Sequence, residues 1–172
     1  MAQLIVGFSK PKAFFEPFSW LIRLAYWSPV SHAYVKLNLN ELNKQIIFQA
    51  SGLSINLIGQ DEFAYKENVY KEFTFPITDQ NRIALIGFAI DQLGKSYSVL
   101  GVCGIALVRV CKLLGININN PVSYSQSSAF CSELTAYILE NYEGLQLGDV
   151  ANLSPSQLLT LIQNLPILSS EQ

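Results

Sequence analysis

One cysteine stands where a helix should begin, in the segment SSAFCSELTAYIL at residues 127–139. Apolar residues follow it at helical spacing, and serines suited to cap a helix precede it. The unpaired N–H groups and the dipole of a helix N-terminus stabilise an anion. With Ser127 or Ser128 as the cap, the pKa of Cys131 would be lowered and its thiolate would be a nucleophile. The alternative is a small buried residue, which cysteine commonly is.

A nucleophilic thiol needs a base and a group that orients the base. His32 is the only histidine in the sequence, and it follows the turn residues SPVS at 28–31 to start an alternating segment. Gln49 lies on the next predicted strand, where its side-chain oxygen could hold the imidazole in one tautomer. A lone histidine on a strand is more often structural, and a single glutamine carries no signal. The residues alone therefore leave two interpretations open, a Cys–His–Gln triad and three unrelated structural residues.

Composition restricts the classes of protein that fit. The chain has 172 residues, of which 50% are hydrophobic and 14% are charged, and its net charge is −2. This length predicts one domain over 1–172, and the low charge predicts a large core, an apolar surface or both. Without a cluster of Lys and Arg, a nucleic-acid partner is not expected.

The cysteine and histidine content argues against cofactors and disulfides. Three cysteines without a CxxC pair, with one histidine, indicate reduced thiols and no metal site, so no cofactor is expected. The first 15 residues lack the charged and apolar regions of a signal peptide. We therefore expect a cytoplasmic or otherwise reducing compartment, or carriage inside a larger particle.

One apolar stretch, at 97–116, is about long enough to span a bilayer. It contains Arg109 and Lys112, and each charge near the membrane centre costs roughly 2.5 to 3.5 kcal/mol. The stretch is therefore predicted to be a buried or membrane-adjacent helix and not a spanning one.

The spacing of apolar and turn residues predicts an α+β fold. Strands are expected at 3–8, 32–39, 44–50 and 68–77, and helices at 16–27, 78–93, 98–115, 127–141 and 154–166. The segment 51–63 reads equally well as a loop or a short strand. The polar connection at 40–43 indicates an antiparallel hairpin, so the expected fold class is a small, mainly antiparallel sheet packed against helices.

Two of the predicted helices have recognisable ends. Thr78 or Asp79 can cap the helix that Gly94 ends, and Ser154 can cap the last helix with Pro155 in its first turn. The apolar stripe expected to face the core in the first of these helices consists of Ile83, Ile86, Ile90 and Leu93.

The order of four segments resembles a known family. SHAYVKL, IIFQASG, LGKSYSVLGVCG and FCSELTAYIL follow one another as in the circularly permuted branch of the papain-like, NlpC-type cysteine hydrolases, to which lecithin:retinol acyltransferase-like proteins are related. The resemblance covers most of the chain, from about residue 3 to about 158. It implies a permuted papain-like fold in which Cys131 is the nucleophile, His32 the base and Gln49 the orienting residue.

The resemblance also suggests a substrate pocket and a reaction. Ser31 and Ser132 belong to the matching motifs, and Tyr97 could line the cleft. The implied activity is that of a cysteine hydrolase (a peptidase or amidase) or an acyltransferase, acting on a cell-wall peptide amide or on a lipid acyl bond. The chain departs from the family at Gln49, where glutamate is common, and at Ser98, where aspartate is common.

Two functions of other classes remain open. One is a non-catalytic structural or interaction subunit of a larger bacterial or viral assembly that keeps the fold. The other is a lipid-binding module, since the apolar segment FFEPFSWLIRLAYW at 14–27 would suit a lipid-like substrate or a membrane surface. The same segment is also explained as part of the core of a 172-residue domain.

Overall fold

The computed structural model describes residues 2–14, 16–39, 42–52, 54–97, 104, 108, 109, 111, 112, 114–118, 128, 129, 131–148 and 153–165. It has an α+β fold, as the alternating and helical patterns predict. The strands are β1 (Ala2–Pro11), β2 (His32–Leu39), β3 (Lys44–Ser51), β4 (Ser54–Gly59), β5 (Glu67–Ile77), β6 (Ser96–Tyr97) and β7 (Ser128–Ala129). The helices with assigned bounds are α1 (Pro17–Tyr26), α2 (Gln60–Lys66), α3 (Asp79–Gln92), α4 (Cys131–Glu143) and α5 (Pro155–Gln163).

The strands form one sheet in the order β5-β1-β2-β3-β4-β6-β7. The pairs among the five longer strands are antiparallel, and β2 and β3 form the predicted hairpin with Val35 opposite Phe48. At the far edge, β6 pairs in parallel with β7, so that Ser96 lies opposite Ser128. These two-residue strands were not predicted. Their pairing fixes the chain to the sheet directly before α4 begins.

Strand β2 is covered on both of its faces, and this places its first residue deep in the fold. Ala33, Val35 and Leu37 point into the main core, as their alternation predicts, together with buried residues of α3, α4 and α5. On the opposite face Tyr34 packs in a smaller cluster with Phe63 of α2. A strand covered on both sides holds its side chains in fixed orientations, which suits a strand that carries a functional residue.

The helix ends are capped as expected. The Thr78 side chain accepts a hydrogen bond from the backbone N–H of Asn81 at the start of α3. Ser154 and Gln157 form a reciprocal capping box at the start of α5, with Pro155 in its first turn. The segment 51–63, which was ambiguous, contains β4 and the start of α2.

The predicted buried stripe of α3 is wrong at three of its four residues, and only Ile86 packs against the core as expected. Ile83 and Ile90 are 65% and 57% exposed, Leu93 is also exposed, and the helix buries Leu85 and Ala89 instead. Both sides of this helix carry aliphatic residues, so periodicity alone does not choose between them. The choice is made by α4, because the Asn81 side chain donates to the Tyr142 carbonyl at 2.9 Å and Phe88 stacks on Tyr137.

The helix predicted over 98–115 falls mostly outside the described residues. The residues described there at 104, 108, 109, 111 and 112 are helical, and Gly115 adopts a positive φ where the helix was expected to end. Within the described part of the chain, no helix is long and apolar enough to cross a membrane.

Candidate active site

His32 is the first residue of β2, and its imidazole is bonded to Gln49. His32 Nε2 and Gln49 Oε1 are 2.8 Å apart, and both side chains are buried. The pairing of Val35 with Phe48 puts His32 and Gln49 on the same face of the hairpin, two residues out of direct register. The structure therefore brings together two of the three residues of the predicted triad.

A further residue, Asn56, extends this contact and was not predicted. It lies directly opposite Gln49 on β4, and its Oδ1 accepts a hydrogen bond of 3.2 Å from Gln49 Nε2. Its own amide nitrogen donates to the carbonyls of Ser51 and Ser54, at 3.3 and 3.2 Å. Because 51–63 was ambiguous as a strand, the sequence offered no register that would place Asn56 beside Gln49.

Burial sets the protonation of His32. Desolvation lowers the pKa of His32 from its ordinary 6.5 to about 4, while the hydrogen bond to Gln49 works in the opposite direction. The imidazole is therefore neutral near pH 7. An amide oxygen can only accept a hydrogen bond, so Nε2 carries the proton in this contact. The lone pair is left on Nδ1, which can take a proton from a donor on that side of the ring.

Tyr34 limits the movement of the imidazole. Its ring lies 6.3 Å from the His32 ring, centroid to centroid, with only 24° between the planes. The Tyr34 hydroxyl donates to Glu72 at 2.7 Å, and Lys36 forms a 2.6 Å ion pair with the same carboxylate oxygen. Burial, followed by the bond to Glu72, raises the pKa of Tyr34 far above its usual value, so the hydroxyl remains a donor.

Cys131 is the first residue of α4 and is almost completely buried. Helix α4 packs against β2 and β3, the two strands that carry His32 and Gln49. The expectation of a cysteine at the start of a helix is confirmed. The cap prediction is wrong for Ser128, because Ser128 belongs to strand β7, which ends at Ala129. Ser127 lies outside the described residues.

The three predicted pocket residues occupy different surroundings. The Ser31 and Ser19 hydroxyls are hydrogen-bonded to each other at 2.7 Å, and the Ser132 hydroxyl donates to the carbonyl of Leu153. Tyr97 belongs to β6, which lies between β4 and the edge strand β7. The two serine hydroxyls thus hold neighbouring segments in place, and a pocket-lining role for all three residues stays a prediction. Ser98 lies outside the described residues.

An open groove of about 660 Å³ lies along α5 and the end of α1. Pro29, three residues before His32, lines it on one side, and Leu153, whose carbonyl accepts from Ser132, lines it on another. Among its described lining residues Arg109 is the one charged side chain, and its guanidinium lies over the Tyr26 ring at 5.7 Å. The groove therefore borders the segment that leads to His32 and the segment at Leu153 to which Ser132 is hydrogen-bonded.

Comparison with known proteins adds no information about this site. Neither a family model nor a curated protein matches the chain. The arguments for a function therefore rest on the buried His32–Gln49–Asn56 chain and on the packing of the Cys131 helix against the same strands.

Proposed function

We propose that this protein is a cysteine-dependent hydrolase or acyltransferase, with Cys131 as nucleophile, His32 as base and Gln49 as orienting residue. The observation that carries the proposal is the buried 2.8 Å contact between His32 Nε2 and Gln49 Oε1. A neutral imidazole held in this way is the form that a thiol requires as its base. Helix α4, which begins at Cys131, packs against the two strands that carry His32 and Gln49, on the sheet face that holds Val35 and Phe48. The proposal therefore requires the thiol to reach the imidazole at the end of β2, where the strand begins.

The proposed reaction runs through an acyl-enzyme. His32 Nδ1 takes the proton of the Cys131 thiol as the sulfur attacks the substrate carbonyl carbon. The backbone N–H groups at the start of α4 stabilise the oxyanion that forms. The carbonyl then re-forms, the bond to the leaving group breaks, and the imidazolium returns its proton to that group. Water releases the acyl group in a hydrolase, whereas an acceptor hydroxyl or amine takes it in a transferase.

The chain order supports the finer fold proposal, a permuted papain-like domain. The strand with His32 comes first, the strand with Gln49 second and the helix with Cys131 last. This is the order expected from the resemblance. The mainly antiparallel sheet, with α4 packed against its centre, is compatible with it.

We propose a lipid acyl group as the substrate, in preference to a wall peptide. Phe14, three residues before α1, and Trp27, directly after it, are 84% and 85% exposed, and Leu24 within the helix is also exposed. Trp27 lines the groove described above. Exposed aromatic and aliphatic side chains on a short helix are typical of a surface that enters the interfacial region of a membrane. A lipid held there would present its acyl bond at the groove.

The decisive experiment is mass spectrometry of the purified protein after incubation with a short-chain activated ester and with phospholipid vesicles. We expect an acyl adduct on Cys131 in the wild type. It should be absent in Cys131→Ala and strongly reduced in His32→Asn, while Cys111→Ser should behave as the wild type. If the wild type forms no adduct and releases no fatty acid with either substrate, the proposal fails. Stable vesicle binding in that case would indicate a lipid-binding module.

A further inference from the structure

The hydrogen-bond chain that reaches His32 starts at two backbone carbonyls that flank the β3–β4 turn, at the end of β3 and the start of β4. The carbonyl oxygens of Ser51 and Ser54 can only accept, so the group of Asn56 that faces them must be its amide nitrogen. The Asn56 oxygen is thereby directed away from the turn and toward Gln49, which lies opposite on β3. The orientation of Asn56 is therefore fixed by backbone groups that cannot change their polarity.

The same argument passes from Asn56 to the imidazole. Since Asn56 Oδ1 accepts, Gln49 must present its amide nitrogen to it, which turns Gln49 Oε1 toward His32. An oxygen in that position requires a proton on Nε2 of the ring. Were the Gln49 amide reversed, its nitrogen would face Nε2, and the proton would move to Nδ1. The ring would then lack the lone pair on Nδ1 that the proposed reaction uses.

We propose that Asn56 is a positioning residue, which holds His32 in the Nε2–H tautomer by fixing the orientation of the Gln49 amide. The effect of Asn56 on turnover rests on the proposed function, whereas its effect on the His32 tautomer does not depend on that function. Asn56 also stabilises the turn through its two hydrogen bonds to backbone carbonyls. A role in turn stability therefore has to be distinguished from a role in orienting the Gln49 amide.

Two substitutions separate these roles. In Asn56→Leu the turn carbonyls lose their donor and Gln49 loses its acceptor. In Asn56→Asp the turn carbonyls lose their donor as well, but a carboxylate oxygen still accepts from Gln49. If the acceptor at position 56 fixes the orientation of the Gln49 amide, Asn56→Asp should keep the wild-type tautomer and Asn56→Leu should not. If Asn56 only supports the turn, the two variants should leave the tautomer unchanged while losing similar stability.

The readout is the long-range ¹H–¹⁵N spectrum of the imidazole, which contains one spin system because His32 is the only histidine in the chain. We expect a single Nε2–H tautomer near pH 7 in the wild type and in Asn56→Asp, and averaged nitrogen shifts in Asn56→Leu. A wild-type Nδ1–H tautomer, or an Asn56→Leu spectrum identical to the wild type, would overturn the proposal. Should Asn56→Leu fail to fold, Asn56→Ser replaces it, because a hydroxyl can either donate or accept and leaves the Gln49 amide free to reverse.

The same spectra are also recorded in the Cys131→Ala background. The test of the His32 tautomer is therefore valid even if the protein forms no acyl-enzyme. Where turnover is measurable, Asn56→Leu should lower kcat roughly in proportion to the lost fraction of the competent tautomer, with little change in KM. Asn56→Asp should retain most of the wild-type kcat. An effect on KM alone would mean that Asn56 acts on substrate binding and not on His32.

Discussion

The ring of Tyr34 lies directly over Gly7, its partner across β1 and β2, and fills the space that a Cβ at position 7 would need. A Cβ built there would overlap the Tyr34 ring and hydroxyl. The glycine in the middle of a strand is thus explained by a close approach and not by a turn. Because the same ring borders the imidazole of His32, Gly7 contributes indirectly to the shape of the candidate site.

Replacing Gly7 by alanine should destabilise the fold by about 1–3 kcal/mol, since overpacking forces Tyr34 off its position. Urea unfolding measures the loss. Gly87→Ala is the matched control, because nothing lies within 4 Å of a Cβ at this exposed helical position, and it should stabilise the protein slightly. In a Tyr34→Leu background Gly7→Ala should cost much less, and an undiminished cost there would contradict the explanation.

The buried imidazole should make the fold sensitive to mild acid. The unfolded chain protonates His32 near pH 6.5, whereas in the folded protein the pKa of His32 is about 4. As pH falls between these values the unfolded state binds the proton first, so the free energy of unfolding falls by about 3 kcal/mol.

Glu67 works in the opposite direction in part of this range. Burial raises the pKa of Glu67 from 4.5 to about 6, so its contribution favours the folded state at lower pH. The test is therefore the difference between the wild type and His32→Gln, measured by denaturant unfolding from pH 7 to pH 4. A difference that does not change with pH would refute the assignment of the acid sensitivity to His32.

Gln49→Glu should raise the pKa of His32 by at least one unit, because a carboxylate beside Nε2 favours the imidazolium. NMR titration of the single histidine gives the value directly. Gln49→Leu is the control of similar size, and it should lower the pKa further because the bond to Gln49 works against desolvation. Equal pKa values in the two variants would show that residue 49 does not contact the ring in solution.

The exposed apolar side chains of α1 and of the residues that flank it should bring the protein to lipid vesicles. Burying each large apolar side chain contributes about 1.5 kcal/mol or more, which is about tenfold in partitioning. A Phe14→Ser, Leu24→Ser, Trp27→Ser triple variant should therefore bind at least tenfold more weakly in vesicle sedimentation. The control is Tyr65→Ser with Ile83→Ser, two equally exposed residues on other helices. Loss of binding in the control to the same extent would argue against α1 as the contact surface.

What the sequence predicts well here is local. Alternation of apolar residues and one polar turn are sufficient for the β2–β3 hairpin, and the hairpin register then places Gln49 near His32. Likewise, cap residues at Thr78 and Ser154 define the starts of α3 and α5, because capping depends on neighbours three residues away.

What the sequence does not predict depends on distant parts of the chain. The β6–β7 pair joins Ser96 to Ser128 through two residues each, too few for a period of two to be visible. The inward face of α3 is chosen by contacts with α4, and Asn56 acquires its partner only once β4 is aligned beside β3. Each of these features is caused by contacts between segments that are distant in sequence, so local sequence patterns do not predict it.

The hydrogen-bond partner of the His32 ring is an amide, and the groups behind it are an amide and two carbonyls. Near neutral pH the assembly from Ser51 to His32 therefore carries no net charge. Stripping water from neutral, mutually bonded groups costs far less than stripping it from a carboxylate and an imidazolium. In its resting state the His32–Gln49–Asn56 chain can therefore lie beside a hydrocarbon surface at a lower dehydration cost than a carboxylate–imidazolium pair.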